Sequence, residues 1–239
     1  MNTIALLFAR GGSKRLPRKH LLNIGDVPVI GHAIRYALKA TPEVYVSTDC
    51  PEISAVSESF GATVIQRPAS LAADNSPLTA ALFHAVDQLR AHAWKTLVAL
   101  EGGTIILRPG IIEDCVAALH AQQADYTTTI FRCSDKHPDW AVARDAAGFV
   151  RPLGKVNANS QENRPLWHLN GSVEILTRAG LERADRSARQ MLECGLQAIG
   201  IEIRESDLIH IDHIDDLNYA RWRLTVRDEA ERPSGSGRP

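Results

Sequence analysis

An unbroken apolar run, Ile4 to Phe8, passes directly into Ala9-Arg10-Gly11-Gly12-Ser13-Lys14-Arg15-Leu16-Pro17-Arg18-Lys19. A continuous apolar run of this length suits a strand buried on both faces, as inside a parallel sheet. Two glycines then allow a sharp turn and a close approach of backbone N–H groups to something. Five basic residues fall between Arg10 and Lys19, and no Asp or Glu precedes Asp26. An ordinary strand-to-loop turn with a solvated basic face is the bland alternative. The glycine pair and the local lack of acids favour a polyphosphate ligand.

The run is the first of a series. Ile30, Ala33, Ile34, Ala37 and Leu38 recur at helical spacing. Val44 to Val46 is a short strand running into Ser47-Thr48-Asp49, and Pro51 to Phe60 a helix stopped by Gly61. Ala62 to Ile65 is a strand ending at Gln66-Arg67-Pro68. Ser76 is a candidate N-cap with Pro77 at the first helical position, ahead of the stripe Leu78, Ala81, Leu82, Ala85, Val86, Leu89. Thr96 to Leu100 is a strand ending at Glu101-Gly102-Gly103. This alternation predicts an α/β fold, a mostly parallel twisted sheet with helices on both faces. Ligands of such folds bind outside the carboxyl ends of the strands. Arg10, Asp49, Arg67 and Glu101 are therefore expected around one crevice.

The second half is less regular. Pro109 to Leu119 reads as a helix and Tyr126 to Phe131 as a strand. Trp140–Ala143 and Phe149–Pro152 flank Asp145-Ala146-Ala147-Gly148 as a hairpin. The chain is then polar to Leu166, so a flap or subunit contact is expected over about 138–168. Asn170 to Leu176, Leu196 to Ile203 and Leu208 to Ile211 are strand candidates, and Ile214 to Val226 a closing helix. One domain over 1–227 with a disordered tail over 228–239 accounts for the length.

A formal net charge of −1 makes the basic loop a local feature and argues against nucleic-acid or membrane binding through bulk charge. The four cysteines have no zinc-like or redox spacing, which fits a reducing compartment. The absence of a signal-peptide pattern or a 20-residue apolar span predicts a cytoplasmic protein.

The loop lacks Walker A and Gly-x-Gly-x-x-Gly spacing. Ala9-Arg10-Gly11-Gly12-Ser13-Lys14 with Leu16-Pro17-Arg18-Lys19 instead resembles the signature of the acylneuraminate cytidylyltransferases (CMP-sialic acid synthetases). The likeness continues through Ser47-Thr48-Asp49, Arg67-Pro68, Leu71-Ala72, Asp74, Leu107-Arg108-Pro109, Asn170-Gly171 and Ile211-Asp212-His213 to Leu217. It implies a nucleotide-diphospho-sugar transferase-like fold, and transfer of CMP from CTP to a 2-keto-3-deoxy sugar acid with release of pyrophosphate. It also implies Mg²⁺ as cofactor and a homodimer.

Carried over by position, Arg10, Lys14 and Lys19 would be catalytic, neutralising the triphosphate. Ala9, Gly11, Gly12, Ser13, Arg67 and Asp74 would bind the nucleotide, with Arg67 near the base. Glu101, Arg108, His168 and Asn170 would face the acceptor, and Asp212 would hold the metal. Cations and fixed donors are what a transferring phosphoryl group requires, and Mg²⁺ requires carboxylate oxygens.

The bland competitors are helix caps for Asp49 and Asp212 and turn roles for Arg67 and Asn170. The family's second Asp, its Gln after the fourth strand, its Arg before Asn-Gly and its Asn after the signature Lys are here His210, Glu101, His168 and His20. CMP-Kdo synthesis, or nucleotide binding without catalysis, are the alternative readings.

Overall fold

The computed structural model describes residues 2–133, 137–153 and 163–231. In chain order the first half contains β1 (Thr3–Phe8), β2 (Asn23–Ile24), β3 (Val27–Pro28), α1 (Val29–Ala40), β4 (Val44–Thr48), α2 (Pro51–Ser59), β5 (Thr63–Gln66), α3 (Leu78–Gln88) and β6 (Thr96–Glu101). There follow β7 (Thr104–Ile106), α4 (Ile111–Ala121), β8 (Tyr126–Arg132), β9 (Val142–Arg144), β10 (Val150–Pro152), β11 (Trp167–Thr177), α5 (Arg178–Arg183), β12 (Ala198–Glu202), β13 (Leu208–His210) and α6 (Ile214–Glu231).

Seven strands form the main sheet in the order β12-β8-β11-β6-β1-β4-β5. β1 lies parallel to both β4 and β6, so that Phe8 is opposite Ser47 on one side and Glu101 on the other. β4 and β5 are parallel as well. The chain therefore leaves β1, β4, β5 and β6 at one edge, just before Arg10, Asp49, Arg67 and Gly102. β11 alone runs antiparallel to both its neighbours in the sheet, β6 and β8, which brings its first residues to that same edge.

The period-two geometry of a strand explains the continuous apolar run. Ala5, Leu7 and Ala9 enter the core beneath α1, α2 and α4, while Ile4, Leu6 and Phe8 enter the core beneath α3. A third apolar cluster joins Leu16 of the basic loop to Ile105 and Leu107, Ile209 and Ile211, and Leu217 and Ala220. It ties the loop to the small β7–β13 pair and to α6. At Gly102 a Cβ would stand 2.8 Å from Ile30 Cδ1 and 2.9 Å from the Phe8 carbonyl, so no side chain fits there.

Several expectations change at the edges. Pro77, not Ser76, occupies the N-cap of α3, and no side chain caps it. The helix expected from Pro109 starts at Ile111, after Gly110 in a left-handed conformation. β11 begins three residues before Asn170, so Asn170-Gly171 is an irregularity inside a strand, not a turn ahead of one. The expected hairpin is present as the antiparallel pair β9–β10. Residues 154–162 of the expected 138–168 insertion and 232–239 of the expected tail lie outside the described residues, while α6 carries residues 228–231 as helix.

Candidate active site

A cleft of about 700 Å³ opens at the carboxyl edge of the sheet. Arg10, Ser13, Lys14, Arg15 and Lys19 of the loop line one side, joined by Phe8, His20, Arg67, Asp74, Leu78, Glu101, Asn170, His210 and Asp212. Four of the loop's five basic residues thus face a single space. Arg18 turns away, in a left-handed conformation, to Glu52 at 3.1 Å.

The loop is held by its backbone. Gly11 N–H donates to Asp49 Oδ1 at 2.9 Å and Ser13 N–H to the Gly11 carbonyl at 3.0 Å. Those two N–H groups are thus engaged within the protein. Gly11 is needed because a Cβ would lie 3.0 Å from Cys50 Cβ, whereas Gly12 has open space around it. Ala9 is buried beneath the loop and does not line the cleft. Asp49 anchors the loop and caps nothing: α2 has no side-chain cap.

Lys19 is nearly buried, and its ammonium donates to the Ile211 carbonyl at 2.9 Å and to Asp212 Oδ1 at 3.0 Å. Gly103 leaves room for it, since a Cβ there would be 3.2 Å from Nζ. Arg15 reaches the other oxygen of Asp212 at 2.6 Å. Burial opposes the charge on Asp212, but Lys19, His210 and Arg15 together outweigh it and hold the carboxyl below its ordinary range. Asp212 does not cap α6 either, because Asp216 accepts from the Asp212 and His213 N–H groups at 2.9 and 2.7 Å. Asp74 pairs with Arg10 at 3.0 Å and with Lys14, so its place is beside two of the loop's cations as their counter-ion.

His20 and His210 stand at the back of the cleft. Burial, with the Lys19 charge adding, pushes His20 down to about 3, so its ring is neutral, and its Nδ1–H donates to the Arg10 carbonyl at 3.2 Å. His210 Nε2 lies 3.4 Å from Glu101 and 3.5 Å from Asp212. Two departures from the family pattern, at positions 101 and 210, therefore touch in space. Arg67 is buried over the Phe8 ring, its guanidinium 5.7 Å from the ring centroid, and donates to the Ser47 hydroxyl and carbonyl. Burial lowers it to about 10, which leaves it charged at neutral pH.

The acceptor-side expectations divide. Asn170 lines the cleft, with its Oδ1 accepting from Thr129 Oγ1 at 2.9 Å and from Ser172 N–H at 3.1 Å. Glu101 lines it as well. Arg108 does not: Asp114 at 2.8 Å and Asp207 at 3.3 Å hold it away from the cleft. His168, opposite Phe131 in the β11–β8 pair, is exposed and outside the lining.

A side pocket of about 280 Å³ shares Phe8, Leu78 and Glu101 with the cleft. Glu174 lines it; sequence reasoning missed this residue because it sits unmarked among the apolar residues of β11. The Tyr126 hydroxyl donates to Glu174 Oε1. Burial pushes the Glu174 carboxyl up to about 7, against that hydrogen bond, and the Glu101 charge adds to the rise.

Among the described residues no three His, Cys, Asp or Glu side chains form a set able to hold a metal ion by themselves. Asp212 can supply one carboxylate. That number suits Mg²⁺ shared with substrate phosphates, since this ion keeps several waters and takes one or two protein carboxylates.

The pattern that defines the family described as "Cytidylyltransferase" matches residues 4–169, and the chain belongs to that family. It is 34% identical over 128 residues to the 3-deoxy-manno-octulosonate cytidylyltransferase of Nitrobacter hamburgensis, covering 53% of this chain and 48% of that protein. It is 31% identical over 184 residues to N-acylneuraminate cytidylyltransferase B of Danio rerio, covering 74% of this chain and 42% of that protein. The CMP-N,N'-diacetyllegionaminic acid synthase of Legionella pneumophila is 29% identical over 185 residues, covering 74% of this chain and 78% of that protein. The chain thus spans about half the length, or less, of the first two relatives. A solved CMP:2-keto-3-deoxy-manno-octonic acid synthetase complexed with CTP has the same fold, with a TM-score of 0.70 at 19% identity, over 95% of this chain and 100% of that one.

Proposed function

We propose that the protein transfers CMP from CTP to the anomeric hydroxyl of a 2-keto-3-deoxy sugar acid and releases pyrophosphate. The observation that carries this reading is the convergence of Arg10, Lys14, Arg15 and Lys19 on one cleft at the carboxyl edge of the sheet. In the reaction the acceptor oxygen bonds to the α-phosphorus, the bond from that phosphorus to the bridging oxygen of pyrophosphate breaks, and the hydroxyl proton leaves. Charge then grows on the departing group, and fixed cations around it lower the barrier.

Lys19, oriented by Ile211 and Asp212, and Arg10, oriented by Asp74, stabilise the departing pyrophosphate. Lys14 and the Ser13 hydroxyl cover the phosphates from the solvent side. Arg67 faces the base from a fixed position beside Phe8. Asp212 would be the residue to hold Mg²⁺, and the ion would supply further neutralisation of phosphate charge. The side pocket, with Glu101 and Asn170 at its mouth, receives the acceptor.

Two further readings belong with this one. Val142, Phe149, Val150 and Leu153 of the β9–β10 region are all more than half exposed, an apolar patch that supports a homodimer contact. Light scattering after gel filtration tests it: a monomer at micromolar concentration removes the dimer. The lack, among the described residues, of a helix long and apolar enough to cross a membrane is compatible with action in the cytoplasm.

Pyrophosphate release from CTP and Mg²⁺, measured across sialic, legionaminic and pseudaminic acids and Kdo, tests the function. The Glu101–His210 contact favours one competing reading, a nucleotide binder without catalysis. CTP raising the melting temperature with no pyrophosphate from any acceptor would establish that reading instead.

A further inference from the structure

Given the cytidylyl transfer proposed above, we propose that Glu174 selects the acceptor, by accepting a hydrogen bond from the N–H of an acylamino substituent on the sugar acid. Glu174 pairs across the sheet with Ala99 of β6 and Thr128 of β8, on the same face as Glu101 and one strand step deeper. It therefore lies at the floor of the pocket that Glu101 shares with the cleft. Its neighbours in β11, Val173, Ile175 and Leu176, are completely buried and apolar. A carboxyl at such a place carries a desolvation cost that a Leu or Val would avoid. Tyr126 satisfies part of it, through one hydrogen bond to one oxygen.

The walls identify the ligand. Phe8, Leu78, Leu82, Leu169 and Met191 make most of the surface apolar, and Arg189 and Gln190 bring donors to it. A tail bearing only hydroxyls would leave several of them against hydrocarbon, each costing part of its lost hydration. An acylamino group has one N–H, one carbonyl and a short alkyl end. Glu174 accepts from the first, Arg189 or Gln190 donates to the second, and the apolar wall covers the third. A site built to pair a polar group discriminates strongly against ligands that lack it, because its own buried group is then left unpaired.

The test compares N-acetylneuraminate, which carries an acylamino group, with Kdo, which carries none, for the wild type, Glu174→Leu and Glu174→Gln. The expected wild-type kcat/KM favours N-acetylneuraminate by at least 100-fold. Glu174→Leu lowers that value at least tenfold, leaves the KM for CTP within twofold and leaves the Kdo value nearly unchanged. Glu174→Gln, whose amide carbonyl still accepts an N–H, recovers to within threefold of wild type. Equal use of both acceptors by the wild type overturns the proposal. So does a Glu174→Leu loss shared equally by both acceptors and CTP, which marks a purely structural role.

Calorimetric titration of each acid into protein saturated with an α,β-methylene analogue of CTP, or into the protein alone if that analogue does not bind, separates this proposal from the reaction itself. If no acceptor yields pyrophosphate, the reading of the reaction fails. A binding preference for N-acetylneuraminate that Glu174→Leu abolishes still upholds the role of Glu174, and equal or absent binding of both acids refutes it.

Discussion

Lys19→Ala removes the most deeply set cation of the basic loop. Its ammonium makes two charge-assisted contacts, to the Ile211 carbonyl at 2.9 Å and to Asp212 at 3.0 Å. Hydrogen bonds to charged groups contribute about 1.5–3 kcal/mol each when partners are removed from a buried position. Arg15 continues to neutralise Asp212 from the other side, so the net loss belongs at the lower end, about 2 kcal/mol. For a chain of this size that corresponds to a fall in melting temperature of roughly 4–8 °C, well short of unfolding at 25 °C. The effect on rate is larger. Removing one fixed donor from a developing anion costs a factor of about 10²–10³. Pyrophosphate release under subsaturating CTP gives kcat/KM directly, and a thermal melt run beside it gives the stability change. Lys14→Ala serves as the control, because its mostly exposed side chain pairs only with Asp74 among the contacts seen; a loss of about tenfold or less and an unchanged melt are expected. A Lys19→Ala enzyme with kcat/KM within threefold of wild type would refute the role given to this side chain.

Glu174 also gives stability a pH dependence. Its carboxyl is raised in the folded state to about 7, from an ordinary value of 4.5. The folded protein therefore holds this proton more tightly than the unfolded chain does, and the associated stability is complete below about 4.5 and lost as pH rises through about 7. Glu174→Gln should flatten the decline in melting temperature across that window; Tyr126, Glu101, Arg189 and Cys194 also face this region and stay constant in the comparison. Gly102→Ala forces a Cβ to within 2.9 Å of the Phe8 carbonyl, so denaturant melts should show a loss of about 1–3 kcal/mol. Asp49→Ala frees the Gly11 N–H and loosens the loop, so the KM for CTP should rise about tenfold while kcat changes less, the deficit being one of ground-state positioning.

The fold was readable where elements were long and regular. β1 and its helical successors announce themselves by uninterrupted or 3.6-spaced apolar residues, and the polar residues after β1, β4, β5 and β6 follow from parallel topology. Arg10, Lys14 and Lys19 were legible because one short segment carries them, with no acid nearby in sequence. The counter-charges come from far along the chain, Asp74 and Asp212, and local reading could not place them on particular cations. Arg108 shows the converse. Its motif position suggested the acceptor, but Asp114 in the first turn of α4 and Asp207 in the distant β13 approach draw it elsewhere. β7 and β13, three residues each, are too short to show a period, and only their pairing reveals them. Glu174 carries no motif, and its meaning comes from Tyr126, 48 residues earlier.

The central claim is that the basic cleft holds the triphosphate of CTP and directs its α-phosphorus to a sugar acid. Initial rates of pyrophosphate release, with CTP compared against UTP, ATP and GTP in the presence of a sugar-acid panel, test it most directly. Release that requires CTP and at least one 2-keto-3-deoxy sugar acid, and collapses in Lys19→Ala, is the predicted result. Release with no acceptor in the panel, or equal release with all four nucleotides, would contradict it.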